Sequence, residues 1–226
     1  SFNVNPQRFL RLLAYLNTLK TKQVFQFEIA ADLLNKPVMD YLLNMIEPGR
    51  VRLEIGIQSV HAHVNEAVDR SSNITSILKK IEQLVLADRV TIHADLIVGL
   101  PFETLDLAKQ SFHQVFRVYP HELQLGFLKI LKGTKLASQA IDMGYDFQTH
   151  PPYQVIANPW MSAVDMDMMK AVERGLEALW NKKRLPLTIK KLVSDLGYNA
   201  SIFFQTIGQI LYRKKTAQEA AFYEVV

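Results

Sequence analysis

Apolar residues recur three and four positions apart over residues 6–19, at Phe9, Leu10, Leu12, Leu13, Leu16 and Leu19; over 24–30 they fall at every second position. The first spacing predicts a helix, with Asn5 as its cap and Pro6 in its first turn, and the second predicts a strand. The two patterns then take turns. Helical spacing returns over 37–46 and stops at Pro48-Gly49, and strand spacing follows over 51–59. A helix is predicted over 74–86 and a strand over 90–99, closed by Gly99-Leu100-Pro101. A helix over 104–119 and a strand over 122–131, closed by Lys132-Gly133, complete the series. This fourfold alternation predicts an α/β fold of stacked βα units on a parallel sheet. It leaves open whether that sheet is doubly wound or part of a barrel.

Past residue 135 the pattern changes. Residues 136–160 hold "THPPY" and "ANPW" without a long periodic segment, which predicts an extended connection. Helical spacing resumes over 161–182 and 199–213, joined by "RLPLT" and "DLGYN". The expected division is therefore 1–135 for the alternating part and 136–226 for a connection with a small helical appendage.

Composition narrows the function classes. A chain of 226 residues with 49% apolar and 21% charged content is an ordinary globular protein. Its net charge is +4, and the basic residues are spread out. The densest clusters, Lys182-Lys183-Arg184, Lys190-Lys191 and Arg213-Lys214-Lys215, read as a solvated helical face, with RNA contact the weaker alternative. No apolar run is long enough to cross a bilayer and no signal-peptide pattern opens the chain, so the expected setting is cytoplasmic. There is no cysteine, which excludes disulfides, thiolate nucleophiles and Cys-based zinc or iron–sulfur sites within these residues. The six histidines lack metal-ligand spacing.

The strand ends hold the candidate chemistry, because parallel α/β folds bind ligands at the carboxyl ends of strands. The strand at 24–30 carries Glu28 and is followed by Asp32; the strand at 51–59 finishes with Glu54, Gly56, Gln58 and Ser59. Partial exposure explains Glu28 and Glu54 equally well, and close packing explains Gly56. Asp95, inside the apolar strand at 90–99, is harder to place. A buried carboxylate needs a cation or several donors, and Arg70 is a candidate partner. Carboxamide, hydroxyl and carboxylate suit ribose hydroxyls, an arginine fork suits a carboxylate, and a glycine lets a flat ring lie against main chain. The set suits a nucleoside attached to an amino acid.

These strands resemble those of radical S-adenosylmethionine enzymes. "RLEIGIQSVHAHVNEAVDR" resembles the E-x-G-x-Q-S strand of that family with its trailing arginine, and "HADLIVGLPFET" resembles its D-[LI]-I-x-G-L-P-x-E strand. "FQFEIAADLL" and "LQLGFLKILKGTKL" look like the strands before and after them. With "PPYQVI" and the helical tail, the chain is most similar to the cobalamin-binding subgroup typified by the magnesium-protoporphyrin IX monomethyl ester oxidative cyclase. The resemblance implies four parallel strands of a partial (β/α)6, TIM-like barrel. It also implies S-adenosylmethionine, a [4Fe–4S] cluster and, in the subgroup, cobalamin as cofactors of the parent enzyme. A 5′-deoxyadenosyl radical would there abstract hydrogen from a small-molecule substrate, or serve methyl transfer. By matching positions, Gln58 and Ser59 lie at the ribose, Arg70 near the methionine carboxylate, Glu28, Glu54 and Asp95 in the polar wall, and Ile97, Val98 and Gly99 at the adenine.

One departure is severe. The family's C-x-x-x-C-x-x-C loop and Gly-Gly-Glu strand have no counterpart in the 226 residues. The expectation is a carboxyl-terminal fragment with no catalytic or metal-ligating residue of its own, inactive and holding no cofactor by itself. The alternative is a cysteine-free module that binds a nucleotide or a partner without redox chemistry. A fragment would leave "VFQFEIA" as an edge strand with Phe25 and Phe27 partly in water, inviting self-association or a cover from "AAFYEVV".

Overall fold

In the computed structural model, which describes residues 1–70 and 73–223 (216–223 as backbone only), the predicted alternation is present. Helix α1 (Pro6–Thr18) opens where the Asn5 side chain accepts the Arg8 N–H. Strand β1 (Phe25–Ile29) follows, then α2 (Lys36–Asn44), capped in the same way by Asn35. Strand β2 (Val51–Gln58), a short α3 (Ala62–Glu66), α4 (Ile74–Ala87, capped by Asn73) and β3 (Thr91–Val98) come next. Helix α5 (Leu105–Phe116) and β4 (Glu122–Phe127) complete the series. The sheet order is β1-β2-β3-β4, and the first two pairings are parallel.

The chain forms two compact units, Ser1–Leu96 with Gln114–Gln124, and Ile97–His113 with Leu125–Val226. In the first unit the period of two separates the faces of the sheet. Val51, Leu53, Ile55 and Ile57 of β2 and Ile92, Ala94 and Leu96 of β3 are all buried. Between them Arg52, Glu54, His93 and Asp95 stay partly exposed on the other face. The register aligns Glu28 with Glu54, Glu54 with His93, and Gly56 with Asp95, so the polar face is a continuous row across strands. Phe27 corrects an expectation: it is buried, with its ring edge-on to Phe2 and Phe9 at 5.1 and 5.6 Å. Alternation turns Gln26 and Glu28, not Phe27, to the polar side. Strand β1 has a strand neighbour on one side only among the described residues. "AAFYEVV" lies outside the side chains described.

The second unit departs more from the sequence pattern. Regular pairing of β4 stops at Phe127, short of the expected residue 131. Beyond it, Leu128 N–H still donates to Val98 O (2.9 Å), but Ile130 N–H donates to Tyr153 O (2.8 Å). The expected connection over 136–160 contains α6 (Lys135–Gln139) and an antiparallel pair, β5 (Asp146–Phe147) with β6 (Val155–Ala157). Helix α7 (Ala163–Leu176) opens on a reciprocal Ser162–Asp165 cap and runs into a π-helical turn, Glu177–Asn181. An unforeseen helix, α8 (Pro186–Ser194), precedes α9 (Ala200–Tyr223). Helices α7 and α9 touch through their backbones: Gly175 lies against Phe204 O, and Gly208 against Ala171 O, with no room for a Cβ at either. No described helix is long and apolar enough to cross a membrane.

Candidate functional site

The end of β2 is shaped by a register shift between Gly56 and Gln58, where Gln58 takes φ +67°. That left-handed backbone folds the Gln58 carboxamide back over Gly56. A Cβ on Gly56 would displace the Gln58 amide from its place and stand 3.2 Å from Arg70 Nη1, so the glycine makes room for both side-chain ends as they lie. Arg70 Nη1 donates to Gly56 O at 3.2 Å. Gln58 is 9% exposed and its Oε1 accepts no hydrogen bond, an orphaned acceptor that costs about 1–3 kcal/mol. Gly56 and Arg70 line a cleft of about 250 Å³ with Glu28, Asp32 and Asp69. Sequence reasoning missed Asn65, which is buried on α3. Its Nδ2 donates to Ser59 O (2.8 Å), its carbonyl accepts Arg70 N–H (3.0 Å), and its Oδ1 is also without a partner. Ser59 differs from its expected role. It is fully buried, and its Oγ accepts the His61 N–H at 3.3 Å, so the hydroxyl serves the loop.

Asp95 also differs. Its neighbour is His93, with Nε2 and Oδ1 2.9 Å apart, not Arg70. The physical reason is the period of two: residues 93 and 95 share a face of β3, while Arg70 donates to Gly56 O. The other side of His93 meets Arg52, which forks onto Glu122 at 2.8 and 2.6 Å. His93 Nδ1 is 3.5 Å from Glu122 Oε2. The hydrogen bond with Asp95 raises the His93 pKa above its ordinary 6.5, against an opposing effect of burial and of Arg52. Arg52 can only donate, so when the His93 ring is neutral its Nδ1 accepts and the ring proton sits on Nε2, facing Asp95. Glu54 accepts a hydrogen bond from Gln26, and Glu28 is exposed at the cleft.

In the second unit, Ile97 is partly exposed while Val98 is buried on the opposite face, so their side chains diverge. Gly99, buried at φ +92°, donates its N–H to Glu103 Oε2 (3.0 Å). Its carbonyl accepts from Asn158 Nδ2 (3.0 Å) and Tyr145 Oη (3.3 Å). Burial, and then the charge of Glu103, push the Tyr145 phenol far above its usual range. Glu103, Tyr145 and Asn158 were not singled out from the sequence. A "GLPxE" string does mark Glu103, but nothing local marks residues 46 and 59 positions away.

The donor sets decide which groups these ends suit. The orphaned Gln58 Oε1, the glycine floor and the arginine suit a hydroxylated, carboxylate-bearing ligand. They do not suit an iron–sulfur cluster, because the chain offers no thiolate, and no three His, Asp or Glu among the described residues are placed to hold a metal ion. Two other histidines serve the fold: His121 Nδ1 accepts Ile92 N–H at 3.0 Å, and His113 Nδ1 accepts Ala200 N–H at 3.2 Å.

A family model described as a protein of unknown function (DUF4080) matches residues 142–225. The uncharacterized protein YtqA of Bacillus subtilis (strain 168) is 22% identical over 185 residues, covering 78% of this chain and 57% of YtqA. The chain thus spans little more than half of that relative's length. Among solved structures it is similar to coproporphyrinogen III oxidase (HemN) from Escherichia coli, a radical SAM enzyme. The TM-score is 0.52 at 17% identity, over 74% of this chain and 36% of HemN. A match to Methanocaldococcus infernus Elp3 has a TM-score of 0.44 at 17% identity, over 60% of this chain and 35% of Elp3. The likeness to HemN concerns architecture: the helix-backed sheet of four strands has the α/β fold of a radical SAM enzyme.

Proposed function

We propose that the chain is the carboxyl-terminal part of a radical S-adenosylmethionine enzyme. In this reading residues 1–135 are the last strands of the barrel and 136–226 its connection and helical appendage. The observation that carries it is the end of β2, where a buried carboxamide oxygen without a partner sits over a glycine beside Arg70. Gln58 Oε1 accepts a ribose hydroxyl, and Arg70 binds the methionine carboxylate in the cleft with Glu28. Glu54 and Asp95 keep the wall polar, Asp95 beside His93. Ser59 acts through the loop that holds Gln58. Of Ile97, Val98 and Gly99, expected at the adenine, Ile97 alone keeps a partly exposed side chain; Val98 is buried on the other face and both backbone groups of Gly99 are taken.

When bound, S-adenosylmethionine supplies the radical chemistry on a small-molecule substrate; these residues bind, orient and shield it. They supply no ligand to a [4Fe–4S] cluster, so these 226 residues by themselves are inactive. The "PPYQVI" segment and helical tail support the cobalamin-type subgroup, and a cytoplasmic setting accompanies that reading. The open edge of β1 favours self-association. The absence of cysteine favours a second reading, a nucleotide-binding module without redox chemistry.

Calorimetric titration of the chain with S-adenosylhomocysteine tests the assignment. Binding is expected, in place of the cofactor-free fragment anticipated from the sequence, because the end of β2 lies within these residues; Arg70→Ala should weaken it by roughly fivefold, about 1 kcal/mol, since the guanidinium is exposed. No binding by the unsubstituted chain would overturn the cofactor assignment. A C-x-x-x-C-x-x-C segment encoded upstream in the same frame would decide for the enzyme over the module.

A further inference from the structure

Beyond Gly99 the chain turns sharply, and the turn holds the wrong residue for its backbone. Glu103 N–H closes it onto Leu100 O at 3.2 Å, with Pro101 and then Phe102 at its centre. Phe102 has φ +64°. A proline-led turn with positive φ at its second central residue is glycine's place, and a bulky side chain there carries strain. Burial does not repay it, because Phe102 is 49% exposed. Its ring lies 4.8 Å from that of Trp160, inclined by 57°, and Trp160 lies 6.2 Å from Tyr145.

The support beneath this pair is rigid. Asn158 Oδ1 accepts the N–H groups of Trp160 (3.0 Å) and Met161 (2.8 Å), while its Nδ2 donates to Gly99 O. These partners fix the amide orientation without ambiguity. One buried side chain therefore ties the backbone of Trp160 to the glycine that precedes the Phe102 turn. Both polar groups of Gly99 are already used inside the protein, so this strand end presents rings rather than hydrogen-bonding groups.

We propose that Phe102 and Trp160 form a recognition site for a planar, unsaturated ring of a small-molecule ligand, with Asn158 as the residue that positions them. The site stands at the carboxyl end of β3, where parallel α/β folds take their ligands. Offset or inclined stacking rewards a flat π-surface over a saturated ring of equal size. As a substrate class this rests on the cofactor reading above; as a binding site it does not.

A matched pair of probes tests it on the full chain: naphthalene-2-carboxylate, which is flat, and decahydronaphthalene-2-carboxylate, which has the same carbon skeleton and charge but is puckered. Binding is followed through the Trp160 indole N–H resonance. The flat probe should bind at least fivefold more tightly. Phe102→Gly, which suits the turn, should keep or raise Tm while abolishing the preference. Asn158→Asp keeps both acceptor bonds but sets a carboxylate oxygen against Gly99 O in place of the donor; it should reduce the preference, with Tm and the dispersion of the amide spectrum read alongside to show that the fold is retained. Equal affinities, no binding of either probe, or a preference surviving Phe102→Gly would overturn the proposal. S-adenosylhomocysteine titrated into the same samples separates the two claims, since its binding depends on Arg70 and not on Phe102.

Discussion

The ends of β2 and β3 make opposite use of their polar atoms. At the end of β2, Gln58 Oε1 and Asn65 Oδ1 are buried and have no partner. At the end of β3, both backbone groups of Gly99 are held by side chains from as far as 59 residues away. An unmet acceptor is a cost that a ligand with a donor can relieve, whereas a fully met backbone is a rigid support. The difference teaches that one end is poised to bind through hydrogen bonds and the other to hold a surface in place.

The comparison breaks first at Gly99. An added Cβ would stand 2.8 Å from Met166 Cε on a backbone at φ +92°, so Gly99→Ala combines strain with overpacking. It should cost about 3 kcal/mol by urea denaturation. Gly133→Ala, at φ +83° with nothing nearby, should cost only about 1 kcal/mol. Equal losses would remove the packing argument. Next, Asn158→Ala deprives Gly99 O, Trp160 N and Met161 N of a partner and should cost about 2–3 kcal/mol. Asn65→Ala removes a side chain already half unmet and should cost about 1 kcal/mol.

Gln58→Met sharpens the contrast from the other side. It removes the orphaned oxygen at similar volume, so Tm should hold or rise while affinity for S-adenosylhomocysteine falls. A large fall in Tm would make Gln58 a structural residue instead.

The smallest effect concerns His93. Its pKa is raised in the fold, chiefly by the bond to Asp95, with Glu122 adding and burial and Arg52 opposing. The stability this contributes is fully present below pH 6.5 and is lost as pH rises through the folded value. The stability difference between the chain and Asp95→Asn should accordingly be larger at pH 5.5 than at pH 8.5. The reverse order, in paired urea melts, would contradict the assigned partner.

The sequence discloses what periodicity encodes. The four strands and their helices fall within a few residues of their predicted spans, because alternation and helical spacing follow from burial of one face. Gly56, Gln58 and Arg70 were also legible, through motif and residue chemistry. The pairing of Asp95 with His93 was not, since it depends on which of several candidate cations reaches it across space. Asn158 and Tyr145 were invisible because a single polar residue in a connection has no period. Helix α8 was hidden because it lies in a short span between two segments read as joints, opening on Pro186. Phe102 was not singled out, because neither its φ nor its exposure leaves a mark in the apolar pattern.

Amide hydrogen exchange with and without S-adenosylhomocysteine measures the two ends in one experiment. If the end of β2 binds through unmet acceptors and the end of β3 is already pinned, added ligand should slow exchange over residues 56–70 by tenfold or more. Exchange over 98–103 should change little, being slow from the start. No protection over 56–70, or a gain confined to 98–103, would contradict the account.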